Sequence, residues 1–307
     1  MRKIEENATA RTHYQDRYKM GQKYIEDEYG VLYSEDGAVL LGYNRKVFRC
    51  AEYRIKDGVK MLAANAFHNC QTLKSIFIPD SVIEDEGSIF EGCENLEEAR
   101  VSANLKNPDI AMFSGCSSLR YLELQEGLES IGENMFYGCT ALKHIALPST
   151  ILYLFGDTFC VSGIEDIAHH EGIKEIGHDA FNGCYHLKKL VIPSTVEHIG
   201  SWLVQGHKEF EGITCKSSKF RVEDEALISN EKDSLLACWT KMTEYHLPAS
   251  VKNIRSVLNN QIETLYIDNP LDEIGFEAFI GCSSLKKIAY NATVRINKSA
   301  NFSWARD

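Results

Sequence analysis

Phenylalanines stand at Phe67, Phe90, Phe113, Phe136 and Phe159, each 23 residues after the last, and Phe181 follows after 22. A large apolar residue returning at a fixed period of this length marks an array of small units, each too short to bury its own apolar face and therefore packed on its neighbours. The length of 307 residues then sets no domain count, because such an array grows one unit at a time. Three residues beyond most of these rings stands a cysteine: Cys70, Cys93, Cys116, Cys139, Cys184 and, in a later unit, Cys282 after Phe279.

One unit runs Ile131-Gly132-Glu133-Asn134-Met135-Phe136-Tyr137-Gly138-Cys139-Thr140-Ala141-Leu142-Lys143-His144-Ile145-Ala146-Leu147-Pro148, and the stretch from Ile176 to Pro193 repeats it at nearly every apolar position. About nine such units are countable between residues 53 and 294, with Val204 and His207 replacing Phe and Cys in a degenerate seventh. The segment Leu-x-x-Ile-x-Ile-Pro ends in the period-two alternation of a strand, so Leu73, Ile76 and Ile78 should point inward, and the proline stops the ladder. Around Ala-Phe-x-Gly-Cys the pattern predicts a short helical turn ended by a left-handed glycine. Stacked units would form a parallel ladder advancing roughly 4.8 Å per rung.

Two inserts interrupt the period. Apolar residues on either side of Asp36-Gly37, within 31–41, predict a hairpin, and Ala226–Ser229 with Leu235–Trp239 predicts a second one with a longer loop. Each is followed by matching text, Glu52-Tyr53-Arg54-Ile55 and Glu244-Tyr245-His246-Leu247. The expected organisation is a polar segment 1–28, a hairpin with repeats over 29–218, and a second hairpin with a shorter repeat block over 219–307. Tyr14, Tyr18 and Ile25 would share one face of a helix capping the open end.

The phrase Ile-Gly-x-x-Ala-Phe-x-Gly-Cys-x-x-Leu-x-x-Ile-x-Ile-Pro resembles the BspA-type leucine-rich repeats of bacterial surface proteins, over about residues 29 to 294. The resemblance implies a leucine-rich-repeat solenoid with hairpin inserts, a role in binding or adhesion to host or bacterial proteins, and display at the cell surface. The opening Met1-Arg2-Lys3 is followed by Ile4-Glu5-Glu6-Asn7 where a secretion leader would be apolar, so the sequence itself predicts a cytoplasmic chain if that N-terminus is native.

Composition narrows the partners. A formal net charge of -11, with no basic cluster, argues against nucleic acid, and no run approaches the roughly 18 apolar residues of a membrane-spanning helix. Ten cysteines lie at least 17 residues apart, which excludes linear zinc motifs and, for residues stacked in a column, favours buried reduced thiols over bridges. His169-His170-Glu171 falls in a turn where solvated polar residues belong. Asp80, Glu84, Asp85, Glu86, Glu91, Glu94, Glu97 and Glu98, with no Lys or Arg among them, predict one strongly acidic side of the second repeat. No nucleophile elbow, phosphate loop or His-Glu-x-x-His is present, so no catalytic residue, metal ligand set or cofactor is expected.

Aligning the units gives columns. At the first outward strand position, Lys74, Glu97, Arg120, Lys143, Glu165, Lys188, Glu211, Glu263 and Lys286, most neighbours carry opposite signs, a pattern of rung-to-rung ion pairs. Beside it, Tyr121, Glu123, His144, Ala146, Asp166, Ala168, Lys189 and Val191 combine aromatic, small and charged residues as an interface core and rim would. These eight positions are the expected binding surface for a protein or peptide. The alternative is an enzyme, or a scaffold attached to one, with a site assembled across the histidine-rich fifth and sixth repeats.

Overall fold

A computed structural model of the chain describes residues 23–168, 170–204, 209–255, 261–275, 278–279, 282–290 and 294–296. Each rung contributes one strand to the main face, whose parallel pairing falls into four sheets of four, two, two and three strands: Glu52–Arg54, Ser75–Phe77, Glu98–Arg100 and Tyr121–Glu123; His144–Ala146 and Asp166–Ala168; Lys189–Ile192 and Gly212–Cys215; and Glu244–His246, Thr264–Ile267 and Lys287–Tyr290. Nine of these belong to the countable units; Glu52–Arg54 and Glu244–His246 open the two repeat blocks. Shorter strands make a second series of parallel pairings, Met61–Leu62 with Glu84–Asp85 in one sheet and Ser130–Ile131, Tyr153–Leu154, Glu175–Ile176 and His198–Ile199 in another. Alternation buries Leu73, Ile76 and Ile78, as the period-two pattern requires.

The six phenylalanines form one buried stack. Successive ring centroids from Phe67 to Phe181 lie 5.4 to 6.1 Å apart with planes within 16° of parallel. All six are fully removed from solvent. A 4.8 Å rung spacing is shorter than these centroid distances, so neighbouring rings are offset, the arrangement that aromatic quadrupoles favour.

The turn carrying each ring is not helical, and no helix occurs among the described residues. A helix would send every amide back four residues along its own chain. Here alternate amides go to different places: Ala66 N, His68 N and Cys70 N donate to Ala63, Asn65 and Phe67 in their own turn, whereas Asn65 N, Phe67 N and Asn69 N donate across to Gly87, Ile89 and Glu91 of the next rung. That pattern requires left-handed residues on both sides of the ring. Two positions before it, Asn65, Ser88, Ala111, Asn134, Asp157 and Asp179 all have φ between 53° and 61°. Two positions after it, Gly92, Gly115, Gly138 and Gly183 have φ near 71°, values that cost glycine nothing.

The cysteine column lies beside the rings. Each thiol is aimed at the carbonyl of the phenylalanine one rung back: Cys93 Sγ to Phe67 O at 3.1 Å, Cys116 to Phe90 at 3.2 Å, Cys139 to Phe113 at 3.2 Å and Cys184 to Phe159 at 2.9 Å. In the fifth rung a serine, Ser162, takes the place of the cysteine and its hydroxyl lies 3.4 Å from Cys184 Sγ. All ten cysteines are free. Burial pushes the thiols of Cys93 and Cys139 up to about 12 and that of Cys184 to about 11, and it raises Cys116 as well.

Both inserts are three-stranded meanders, each one strand longer than the predicted hairpin. Tyr24–Glu26, Val31–Ser34 and Val39–Tyr43 run antiparallel, as do Phe220–Glu223, Ala226–Ser229 and Ser234–Cys238. Their last strands pair in parallel with short strands of the second series, at Met61–Leu62 and Asn253–Ile254. Ile25, expected on a helix, therefore sits in an antiparallel edge strand and is half exposed, because its partners Tyr33 and its neighbours satisfy an extended backbone; Tyr14 and Tyr18 lie outside the described residues. A tyrosine hydroxyl fastens each meander: Tyr53 to Asp27 Oδ2 at 2.6 Å, and Tyr245 to the Asp224 carbonyl at 2.7 Å.

The second meander lies between two hydrophobic clusters. Leu227, Leu236, Ala237 and Trp239 pack into the core of the preceding rungs, while Ala226, Ile228, Leu235 and Cys238 pack into the core of the following ones. Every residue of Ser234–Cys238 is buried.

Two outcomes are expected. Truncation of a central ring, Phe113→Ala, should lower stability by about 3 to 5 kcal/mol in urea titrations followed by circular dichroism, since it removes stacking on both sides and leaves a cavity; a change within error would contradict the continuous stack. With a thiol reagent at pH 8, half-exposed Cys50 and Cys215 should react first and the other eight only as the chain unfolds, to a total of ten in denaturant. Isolation of a Cys93–Cys116 linked peptide would show that the column oxidises instead.

Candidate functional site

The strand face holds the eight positions singled out by sequence, and the fold divides them into three groups. Tyr121–Glu123 is the last strand of a four-stranded sheet, His144–Ala146 pairs with Asp166–Ala168, and Lys189–Ile192 pairs with Gly212–Cys215. His144 and Asp166 are in register and joined, Nδ1 to Oδ2 at 3.0 Å, and both are largely exposed. Ala146 is exposed and pairs through its backbone with Ala168. Lys189 reaches forward to Glu211 at 2.9 Å, and Val191 beside it is half-buried. Glu123 lies 3.9 Å from Arg100 on the preceding rung. Tyr121 is 63% exposed, one of the largest apolar surfaces on the chain.

Height along this face is set by the third outward column. At its start Arg54 and Arg100 close on both faces of Phe77, with guanidinium carbons 3.8 and 4.5 Å from the ring centroid. The column then falls to exposed Ala146 and half-buried Val191, so tall, mutually satisfied side chains give way to smaller ones beside the exposed His144–Asp166 pair. The first outward column forms most of the expected rung-to-rung pairs, Lys74–Glu97 at 3.5 Å, Arg120 with Glu97, Lys143–Glu165 at 2.8 Å and Lys286–Glu263 at 3.0 Å, but Glu211 pairs with Lys189 of the neighbouring column rather than with Lys188. These exposed pairs order the ladder more than they stabilise it. Lys143 and Arg120 hold Glu165 and Glu97 below the usual carboxylate range.

The acidic run does not form one acidic side. Its 19 residues, 80–98, make nearly a whole rung, and a rung passes round every face of the solenoid. Asp80 pairs with Arg100 at 3.1 Å, Glu86 accepts the Ala64 amide, and Glu97 faces Lys74 and Arg120 on the strand face. Asp85 turns inward to accept the amides of Gly87 and Asp109, and burial pushes its carboxyl up to about 6.

The turn histidines are likewise dispersed. Glu171 is occupied by the amide and hydroxyl of Ser194, both within 2.9 Å, and Glu126 holds Ser149 in the same way two rungs earlier. His170 Nδ1 meets the Glu171 carbonyl at 3.0 Å, and His169 lies outside the described residues.

The structure does gather one group that sequence spacing conceals. Glu133, Asp157 and His178, from three successive rungs, bring one ligand-type atom each within 4.8 Å of one another. His178 Nδ1 lies 3.6 Å from Asp157 and 3.4 Å from Asp179. Partial burial and then the neighbouring Asp179 raise the Asp157 carboxyl above its ordinary value. The signal in the sequence is Gly156, which occupies the position between Glu133 and His178 when the units are aligned on their phenylalanines.

No helix of the described residues is long and apolar enough to cross a membrane. Among solved structures, the chain is similar to a leucine rich cell surface protein from Faecalibacterium prausnitzii (TM-score 0.53, 16% identity, 90% of this chain and 96% of that one). It is also similar to a leucine-rich repeat protein from Bacteroides ovatus (TM-score 0.53, 18% identity, 92% and 79%) and to the leucine rich repeat protein of T. pallidum (TM-score 0.50, 20% identity, 62% and 87%). At these identities the likeness is one of fold. No curated protein matches the chain. The sequence profile of the BspA type leucine rich repeat region matches residues 45–162, 156–257 and 233–305, and the chain belongs to that family.

Proposed function

We propose that this chain is a non-catalytic protein-binding module that engages a protein or peptide through its strand face, at the segment bounded by Tyr121, His144 and Asp166 and continuing to Lys189 and Val191. The observation that carries this reading is exposed Tyr121 and exposed Ala146 on strands of successive rungs, each held on ordered backbone. An aromatic anchor together with small residues, rimmed by charges paired among themselves, has the composition of an interface core and rim. A rigid surface also spares the partner the cost of ordering loops. The cell-surface description of the Faecalibacterium relative agrees with a role in adhesion.

The test is a photo-crosslinking amino acid placed at Ala146 in the full chain and exposed to native host cells, with a matched probe at Glu84 as control. The partner should be captured from position 146 and not from 84. Ala146→Glu and Val191→Glu should each weaken capture by about tenfold, whereas loss of the Lys143–Glu165 pair should change binding little. Melting temperatures should stay close to the parent for Ala146→Glu, whose side chain is exposed. If both substitutions leave capture intact while charge reversals across 80–98 abolish it, the interface lies on another face.

A further inference from the structure

We propose that Glu133, Asp157 and His178 form a binding site for a divalent first-row transition-metal ion, with zinc the best match to one imidazole and two carboxylates. The site uses none of the strand-face residues and stands or falls independently of them.

The geometry follows from stacking. Counted back from the ring of each rung, Glu133 lies three before Phe136, Gly156 three before Phe159 and His178 three before Phe181, so these residues form one column. Side chains two rungs apart in a column are separated by roughly 9.6 Å of backbone and would normally be screened by the residue between them. Here that residue is glycine. A Cβ at Gly156 would fall 2.4 Å from His178 Nε2 and 2.6 Å from Cε1, so the imidazole lies in the space the missing side chain leaves. With Nε2 over the glycine, Nδ1 is the nitrogen turned toward the carboxylates, 3.6 Å from Asp157 Oδ2.

The backbone is fixed on every side of this group. Asp157 N donates to the His178 carbonyl at 2.8 Å, Asn134 N to Gly156 O at 3.0 Å, and Ala111 N to Glu133 O at 2.8 Å. Asp157 and Asp179 take the left-handed conformation of the turn, at φ 54° and 53°, and Asp179 is further held by Asn182 at 2.6 Å.

Charge and spacing both suit a cation. Among the described residues no Lys or Arg pairs with Glu133, Asp157 or Asp179, so three carboxylates face a single imidazole. A four-coordinate zinc with bonds of roughly 2.0–2.2 Å separates its ligand atoms by about 3.3–3.6 Å, close to the Nδ1–Oδ2 distance before any side-chain adjustment. A depression of about 350 Å³ lined by Asp157, His178, Asp179, Ser201 and Trp202 opens beside the group, leaving the remaining coordination position to water or to a group on a ligand. Three protein ligands and one open position is the arrangement of a zinc that exchanges ligands.

The full chain, stripped with chelator and kept in a non-thiol reductant, is titrated with Zn²⁺ against a chromophoric competitor. One equivalent should bind in the micromolar range, and Co²⁺ in its place should give weak visible bands without the sulfur charge-transfer band that coordination by cysteine would add. His178→Ala and Asp157→Asn should each weaken binding by about tenfold or more; asparagine tolerates the left-handed turn, so the second variant keeps the fold. Gly156→Ala, which removes no ligand atom, should weaken binding as well, while His144→Ala and His246→Ala should not. Absence of an equivalent binding below about 100 µM, a sulfur charge-transfer band, or unchanged affinity in both His178→Ala and Asp157→Asn would overturn the assignment.

Discussion

Everything in this fold depends on the turn around each phenylalanine sending alternate amides to its own rung and to the next. That division leaves no helix to pack and lets rungs approach at strand spacing on the turn side as well as on the sheet side. The rings can then stack, offset and nearly parallel, from Phe67 to Phe181, and the thiols can reach the phenylalanine carbonyls one rung back. Cysteine suits the place because it is small, apolar and carries one weak donor for one buried acceptor.

The same division explains which parts of the structure were legible in the sequence. Ring, thiol and inward strand positions are apolar at a fixed period, so the period alone places them. Ala-Phe-x-Gly-Cys predicts a helical turn because it holds the residues of a helix end; what decides otherwise is the left-handed residue before the ring, which is Asn, Ser, Ala or Asp and carries no single signature. The first strands of the meanders were missed for a different reason. Tyr24-Ile25-Glu26 is too short to show alternation, although Phe220-Arg221-Val222-Glu223 does alternate.

On the surface, legibility depended on whether a column or a chain segment was followed. Following columns placed the ion pairs of Lys143 with Glu165 and of Lys286 with Glu263, whereas the pairing of His144 with Asp166 emerges only from the structure. Following the chain made residues 80–98 look like an acidic face, when a single turn distributes them around the solenoid. The Glu133, Asp157 and His178 group escaped because it requires both views: one column, and the absence of a side chain within it at Gly156.

The second meander, with apolar residues on both of its faces, has a consequence for how such chains change length. A single rung added or removed within a block alters only how far the ladder runs. A rung added across Phe220–Cys238 would have to separate two cores that share one sheet of side chains. Single-rung insertions and losses should therefore be tolerated between meanders and not within Phe220–Cys238. The tyrosine clasp, Tyr53 on Asp27 and Tyr245 on the Asp224 carbonyl, marks where each repeat block begins.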